Sequence, residues 1–292
     1  MNSKSFLGLS SALFAIFVWG ISFVSTKIIL RELPPVTIAF FRQFIALIPL
    51  IILMIFKKEN FRIKKGELML FSLSSLFGIV LYFFFENRGL TLISASNASL
   101  LVAAVPIFVL IIDAISGRKK INIPSLLCII TSVVGVYFIT FEGKVPDFRS
   151  GSFLGTLLVL ASMISWIIYT FLSSNLGKKY SSLKMTTIQT ALSIPLFIPF
   201  VSVEFDKWIM PSAVSLLNLI FLGVFCSALA YVFFLFGLKN HGPVLVSALL
   251  NLIPVITIIA EAIMLKEMIS VYQAAGAALI LGSISYLSLK KE

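Results

Sequence analysis

Few side chains in this 292-residue sequence could do chemistry, and those that could are embedded in apolar runs. Glu86 and Asn87 close the aromatic stretch Tyr82-Phe83-Phe84-Phe85 and face the polar start of the next run at Ser94, Ser96, Asn97 and Ser99. A carboxyl placed there could bind a substrate amine or carry a coupling proton; the plainer reading is a solvated Glu86 paired with Arg88. Arg42 stands eight residues beyond Pro34, roughly 12 Å along a helix. A charge at that depth is a functional candidate, or else a structural ion pair or carbonyl contact. Asn251, in the turn before Pro254, could hydrogen-bond a substrate or the carbonyls that the proline frees.

Trp19, Ser22 and Thr26 are spaced i, i+3, i+7, and Ser162, Ser165, Trp166, Tyr169, Thr170 and Ser173 share one broad helical face. Serines on such a face suit helix packing. Trp166 and Tyr169, and less strongly Trp19, suit a wall that is wet on one side; Tyr82 and Tyr231 join them as candidate lining. The chain has one histidine, and Cys128 and Cys226 lie inside apolar runs. No metal site, no cofactor and no nucleophile–base pair is expected, which argues against an enzyme.

These side chains must be positioned by helices in lipid. The chain is 59% apolar and 12% charged, with a mean hydropathy of +1.08, whereas soluble domains carry about a quarter charged residues. Ten segments meet the length of about 20 apolar residues that a span requires: roughly 6–29, 35–56, 68–88, 93–116, 123–141, 152–175, 185–203, 212–238, 243–265 and 269–289. The expected fold is therefore an all-α integral membrane protein of ten transmembrane helices. The net charge of +11 sits in short tracts between spans, so it reads as a topology signal and not as a nucleic-acid surface. The N-terminus, the even-numbered loops and the C-terminus hold 15 basic residues and the odd-numbered loops 6. Both termini are thus expected in the cytoplasm. Lys27, near the outer end of the first span, is expected to snorkel to the headgroups.

The second half repeats the first. At an offset of 148, Ser99 falls on Ser247, Pro106 on Pro254, Asp113 on Glu261 and Arg118 on Lys266, and Gly89-Leu90 falls on Gly237-Leu238; Trp19 falls on Trp166 at 147. Two units follow, 1–143 and 144–292, with five spans each. An odd number inverts the second copy, giving the 5+5 inverted repeat of secondary transporters, with a site near the midplane between the halves. Pro106 and Pro254 lie near the centres of equivalent spans, where they would shape a cavity or a hinge. Asp113 and Glu261, near the ends of those spans, suggest paired ion bridges or gates, or solvated helix ends.

The ordered set Trp19-Gly20, Lys27, Pro34 with Arg42, Glu86-Asn87-Arg88-Gly89-Leu90, Ser94 to Leu101, Pro106, Ser247 to Pro254 and Lys266-Glu267 resembles the drug/metabolite transporter superfamily, specifically its EamA-type ten-span members. The resemblance covers the whole chain. One departure is Gly117-Arg118-Lys119-Lys120, where many relatives have a Gly/Lys-Glu pair. The resemblance implies a central cavity lined by spans 1, 3, 4, 6, 8 and 9 and export of amino acids, other metabolites or toxic compounds.

The expectation is a multi-pass carrier in a bacterial plasma membrane that moves a small amphipathic molecule by alternating access. Its partners would be that small molecule and the lipid bilayer, with proton coupling through Glu86 and a homodimer left open. A lipid-linked carrier or flippase is the alternative.

Overall fold

The computed structural model describes residues 3–104, 123–145 and 147–289. Pro106, Asp113 and Arg118 lie outside them. Every element among the described residues is helical: α1 (Ser3–Ile29), α2 (Pro35–Phe56), α3 (Leu68–Leu92), α4 (Ala95–Val102), α5 (Ile123–Phe141), α6 (Gly151–Leu176) and α7 (Ser182–Val201). They are followed by α8, which runs Ala213–Phe221, Leu222–Leu229 and Ala230–Leu249, then α9 (Ile253–Met264) and α10 (Val271–Leu289). Six described helices, in α1, α2, α3, α6, α7 and α8, are long and apolar enough to cross a membrane by length and composition. The apolar stretches of α5, α9 and α10 are shorter.

The helix starts follow local chemistry. Ser94, Ser150, Ser181 and Ser212 each accept a hydrogen bond from the backbone N–H three residues on, satisfying an amide that the helix leaves orphaned. Pro35 opens α2, where its missing N–H costs nothing. Two helices are wound locally too wide: α3 carries a π stretch at Leu76–Leu81 and α8 one at Leu222–Leu229.

Small residues set the closest crossings. A Cβ on Gly135 of α5 would meet Gly276 O of α10 at 2.8 Å, and one on Gly276 would meet Gly135 O at 2.6 Å. Gly237 of α8 lies against Ala12 and Gly8 of α1 in the same way. Without a hydrophobic drive between helices in lipid, such close approach is what holds them together. The outward faces carry Ile48, Ile55, Leu127, Leu217, Ile259 and Ile263, all exposed, a surface that only lipid would cover.

We call the end of the bundle holding residue 3 the near end and the opposite one the far end. Gly237 lies beside Gly8 near that first end and Thr257 beside Gly20, so the chain turns back between Gly237 and Leu250. Pro254 sits at the second position of α9, directly after a single 3-10 turn at Leu250–Leu252. The helix pattern thus changes pitch just ahead of the proline, within one continuous helical stretch.

Candidate functional site

Where α1, α2, α3, α4, α6, α8 and α9 converge they surround a narrow slot with a cavity volume of about 30 Å³. Trp19, Ser22 and Phe23 reach it from α1, Arg42 from α2, Tyr82, Phe83 and Glu86 from α3, and Trp166 from α6. Tyr231, Leu250 and Ile253 complete the wall. The spans that the resemblance names all contribute, and α2 joins them through Arg42.

Trp166 is the hub of the aromatic wall, with ring centroids 5.3 Å from Trp19, 5.3 Å from Tyr82, 5.0 Å from Tyr169 and 5.9 Å from Tyr231. The two tryptophans differ in how their N–H groups are used. That of Trp19 donates to Cys226 O (2.9 Å), inside the π stretch of α8. That of Trp166 has no hydrogen bond among the described residues. The Tyr231 hydroxyl donates to Gly78 O (3.0 Å), inside the π stretch of α3. Each wide turn thus has a carbonyl answered by an aromatic donor from across the slot.

Gly78 is required there for a second reason. A Cβ on it would stand 2.1 Å from Cδ2 of Tyr169, whose ring packs flat on that backbone and is fully buried. Tyr169 therefore lies beneath Trp166, toward the near end, and its hydroxyl, near Ser173, makes no hydrogen bond within 3.5 Å among the described residues. Beyond it a recess of about 290 Å³ is lined by Ser173, Gly177, Lys178, Leu238 and Lys239, among others.

The two ionisable groups in the slot are both buried, Arg42 at 1% exposure and Glu86 at 5%. Glu86 does not pair with Arg88. It accepts from the Tyr82 hydroxyl (2.5 Å), while the Arg88 guanidinium lies over the Phe84 ring at 4.2 Å. Arg42 donates through Nε to Ser227 Oγ (2.8 Å) and lies 4.0 Å above the Phe83 ring. No carboxylate approaches it within 4 Å among the described residues, where Lys179–Glu67 is the sole ion pair at that distance.

The other sequence candidates serve the frame. Asn97 accepts from Gln273 of α10 (2.8 Å) and lies outside the slot. Asn87 donates to Pro35 O (2.9 Å), and Ser99 to Ser96 O (2.9 Å). Ser22 lines the slot but donates to Trp19 O (2.7 Å). Asn251 lies in the 3-10 turn before Pro254, its buried carbonyl oxygen without a hydrogen-bond partner among the described residues. Lys27 corrects an expectation: instead of reaching the headgroups it turns inward and donates to Leu90 O (2.6 Å) and Ile93 O (2.8 Å), the carbonyls that end α3. A cation there complements the helix terminus.

Three carboxylates hold the far end, and the sequence drew attention to only one of them. Glu261, buried, accepts from Ala95 N (3.0 Å), Ser96 N (2.9 Å) and the Ser96 hydroxyl, so it anchors the start of α4, and among the described residues it has no ion-pair partner within 4 Å. Glu204, also buried, does the same for α2 through Val36 N, Thr37 N (2.8 Å) and Thr37 Oγ1 (2.9 Å). Glu32 accepts from the amide and hydroxyl of Ser212, both at 2.7 Å, and these bonds hold its carboxyl below the usual range. At the near end the ties are Glu59 with the Ser181 hydroxyl, and Glu67 with Lys179 and the Tyr180 hydroxyl. Tyr180 also accepts from Lys64 N (3.3 Å).

The sequence model of the EamA-like transporter family matches residues 6–141 and again 153–289. A protein of Archaeoglobus fulgidus called an uncharacterized transporter is 29% identical, covering all of this chain and 99% of its own. A second from that organism, of the same description, is 31% identical over 94% of this chain and 95% of its own. The uncharacterized transporter YoaV of Bacillus subtilis is 24% identical over 90% of each. A solved crystal structure superposes with a TM-score of 0.69 over 99% of both chains at 17% identity, a likeness of fold.

Proposed function

The chain belongs to the EamA-like transporter family, a multi-pass membrane transporter, and we propose that it is a secondary carrier exporting small amphipathic metabolites, amino acids or toxic compounds among them, by alternating access. The slot carries this reading. Its wall is mostly apolar, with six aromatic rings among thirteen lining residues, and therefore suited to an apolar body, yet it holds two buried ionisable side chains and the unengaged N–H of Trp166. Ligand sites combine an apolar lining with a few convergent polar groups in this way.

The mechanism rests on two five-helix halves, 1–143 and 144–292, in inverted orientation. Two matches of one family model support the division. So do ties that recur with their partners exchanged: residue 32 holds the amide of residue 212, and residue 180, offset by 148, holds the amide of residue 64. The π stretches of α3 and α8 also correspond, with Gly78 O and Cys226 O at the same offset. Halves related in this way can rock about a fixed central site. The far end is the extracellular side and the near end the cytoplasmic side of a plasma membrane, as the basic residues of the near-end loops favour.

Transport by proteoliposomes under an imposed pH gradient tests the reading. Substrate-dependent flux is expected from a metabolite panel, and no flux from any member counts against it. Glu86→Gln is expected to abolish proton dependence while leaving insertion intact; unchanged proton dependence would remove Glu86 from the coupling step.

A further inference from the structure

The recess at the near end lies apart from the slot, and we propose that it holds the headgroup of an anionic phospholipid. All eight residues that line it fall between Ser173 and Lys239, in α6, the turn after it, α7 and α8. Tyr169, packed on Gly78, stands between the recess and Trp166. The volume of about 290 Å³ is at the lower edge of the range for small-molecule sites, about 300–1,000 Å³.

Two exposed cations stand on the rim. Lys178 and Lys239 have no carboxylate within 4 Å among the described residues, and no lining residue is acidic. Lys239 Nζ gives one N–H to Tyr180 O at 3.5 Å, which leaves the other two of its ammonium. The neighbouring lysines are spent: Lys179 pairs with Glu67, and Lys184 donates to Asn60 Oδ1 (2.8 Å) and Arg62 O (2.6 Å). Deeper in, Ser173 accepts from Gln189 Nε2 (3.2 Å) and gives its own O–H to no described acceptor. The buried Tyr169 hydroxyl near it makes no hydrogen bond within 3.5 Å either. Ammonium groups above unspent hydroxyls form a donor set for a phosphate. Met185, Leu235 and Leu238 add an apolar side, which suits the glycerol end of a lipid and offers a free anion nothing. The recess lies where α6 ends at Leu176 and α7 begins at Ser182. Basic pockets between helices at that level take anionic headgroups.

Under the inverted halves proposed above, the first half has its own answer to the same place. At the offset of 147 that lays Trp19 on Trp166, Lys27 falls on Ser174 and Arg31 on Lys178. Lys27 turns its ammonium inward onto Leu90 O and Ile93 O, whereas the short Ser174 leaves room. One half fills the position with its own side chain; the other leaves it to a ligand.

The test titrates the full-length protein in detergent micelles with phosphatidylglycerol or phosphatidylcholine of identical acyl chains and counts retained lipid by native mass spectrometry. One phosphatidylglycerol is expected to be held about thirtyfold more tightly than phosphatidylcholine, each lysine contributing about fivefold. Lys178→Gln and Lys239→Gln should each lose about fivefold, and the double variant the whole preference. Ser174→Leu, which fills the recess without changing its charge, should lose it too. Lys57→Gln with Lys58→Gln, exposed at the same end but outside the recess, should keep it. Equal retention of the two lipids overturns the proposal, as does a preference that survives in the recess variants. A preference lost with Lys57 and Lys58 shows a generally basic surface and overturns it as well. Displacement of the lipid by glycerol 3-phosphate or inorganic phosphate at matching concentration assigns the recess to a free anion instead. Retention is read without transport, so a chain that carries nothing would still show it.

Discussion

At the far end of the bundle the helices are fastened through Glu204 and Glu261, both buried and each closing on two backbone amides and a hydroxyl. At the near end Glu67 meets Lys179, whose side chain is 62% exposed, and a recess of about 290 Å³ opens between α6, α7 and α8. The same carboxylate chemistry has different weight at the two ends. Hydrogen bonds to a buried charge are worth about 1.5–3 kcal/mol, whereas exposed ion pairs are worth about 0–1 kcal/mol. The far end is a seal and the near end a latch.

The largest effect is expected from Glu261→Ala, which strips the start of α4 of its acceptor and leaves Ala95 N and Ser96 N buried without partners. A loss of about 2–3 kcal/mol in reversible unfolding follows, and Glu204→Ala should match it at α2; no loss in either would dissolve the distinction between the ends. Next comes Gly78→Ala. The new methyl collides with the Tyr169 ring, so stability should fall by about 1–3 kcal/mol, and thiol probes placed at Ser173 should gain access toward the slot. Lys27→Met should cost about 1–2 kcal/mol by leaving the Leu90 and Ile93 carbonyls to themselves.

The smallest effect is expected from acid at the near end. The Glu67 carboxyl is held below the usual range by the Lys179 ammonium and then the Tyr180 hydroxyl. Its contribution is complete above the ordinary carboxylate value and is lost as pH falls through the lower folded one. A slightly reduced melting temperature below about pH 4 that is absent in Glu67→Gln would show it.

The helices were legible because a bilayer demands about 20 apolar residues per span, and ends such as Pro35 or Phe141 declare themselves locally. The slot was legible in its residue types: Trp19, Tyr82, Glu86, Trp166 and Tyr231 meet as amphipathic groups on apolar helices would. What could not be read was partnership across long separations. Nothing near Glu204 announces Thr37, 167 residues away, and nothing near Lys27 announces Leu90, 63 away. Asn97 and Asn87 have the polarity of site residues but spend it on Gln273 and Pro35. The wide turns of α3 and α8 leave no mark in composition, since an extra residue per turn changes spacing and not type.

Those wide turns fix the angular position of everything that follows them. A π turn absorbs one residue more than an α turn, so removing it advances the register by one position, a rotation of about 100° about the helix axis. Tyr82 and Glu86 follow immediately after Leu76–Leu81. Were that segment wound as ordinary α-helix, with α6 and α7 still gripping its first turns, the carboxyl of Glu86 would point a quarter-turn or more away from Arg42. The acid thus reaches the slot because the wide turn absorbs one residue: deleting Ile79 would close the turn to α-helix and leave Glu86 on its present bearing, whereas winding all the residues of the segment as α-helix would turn it out.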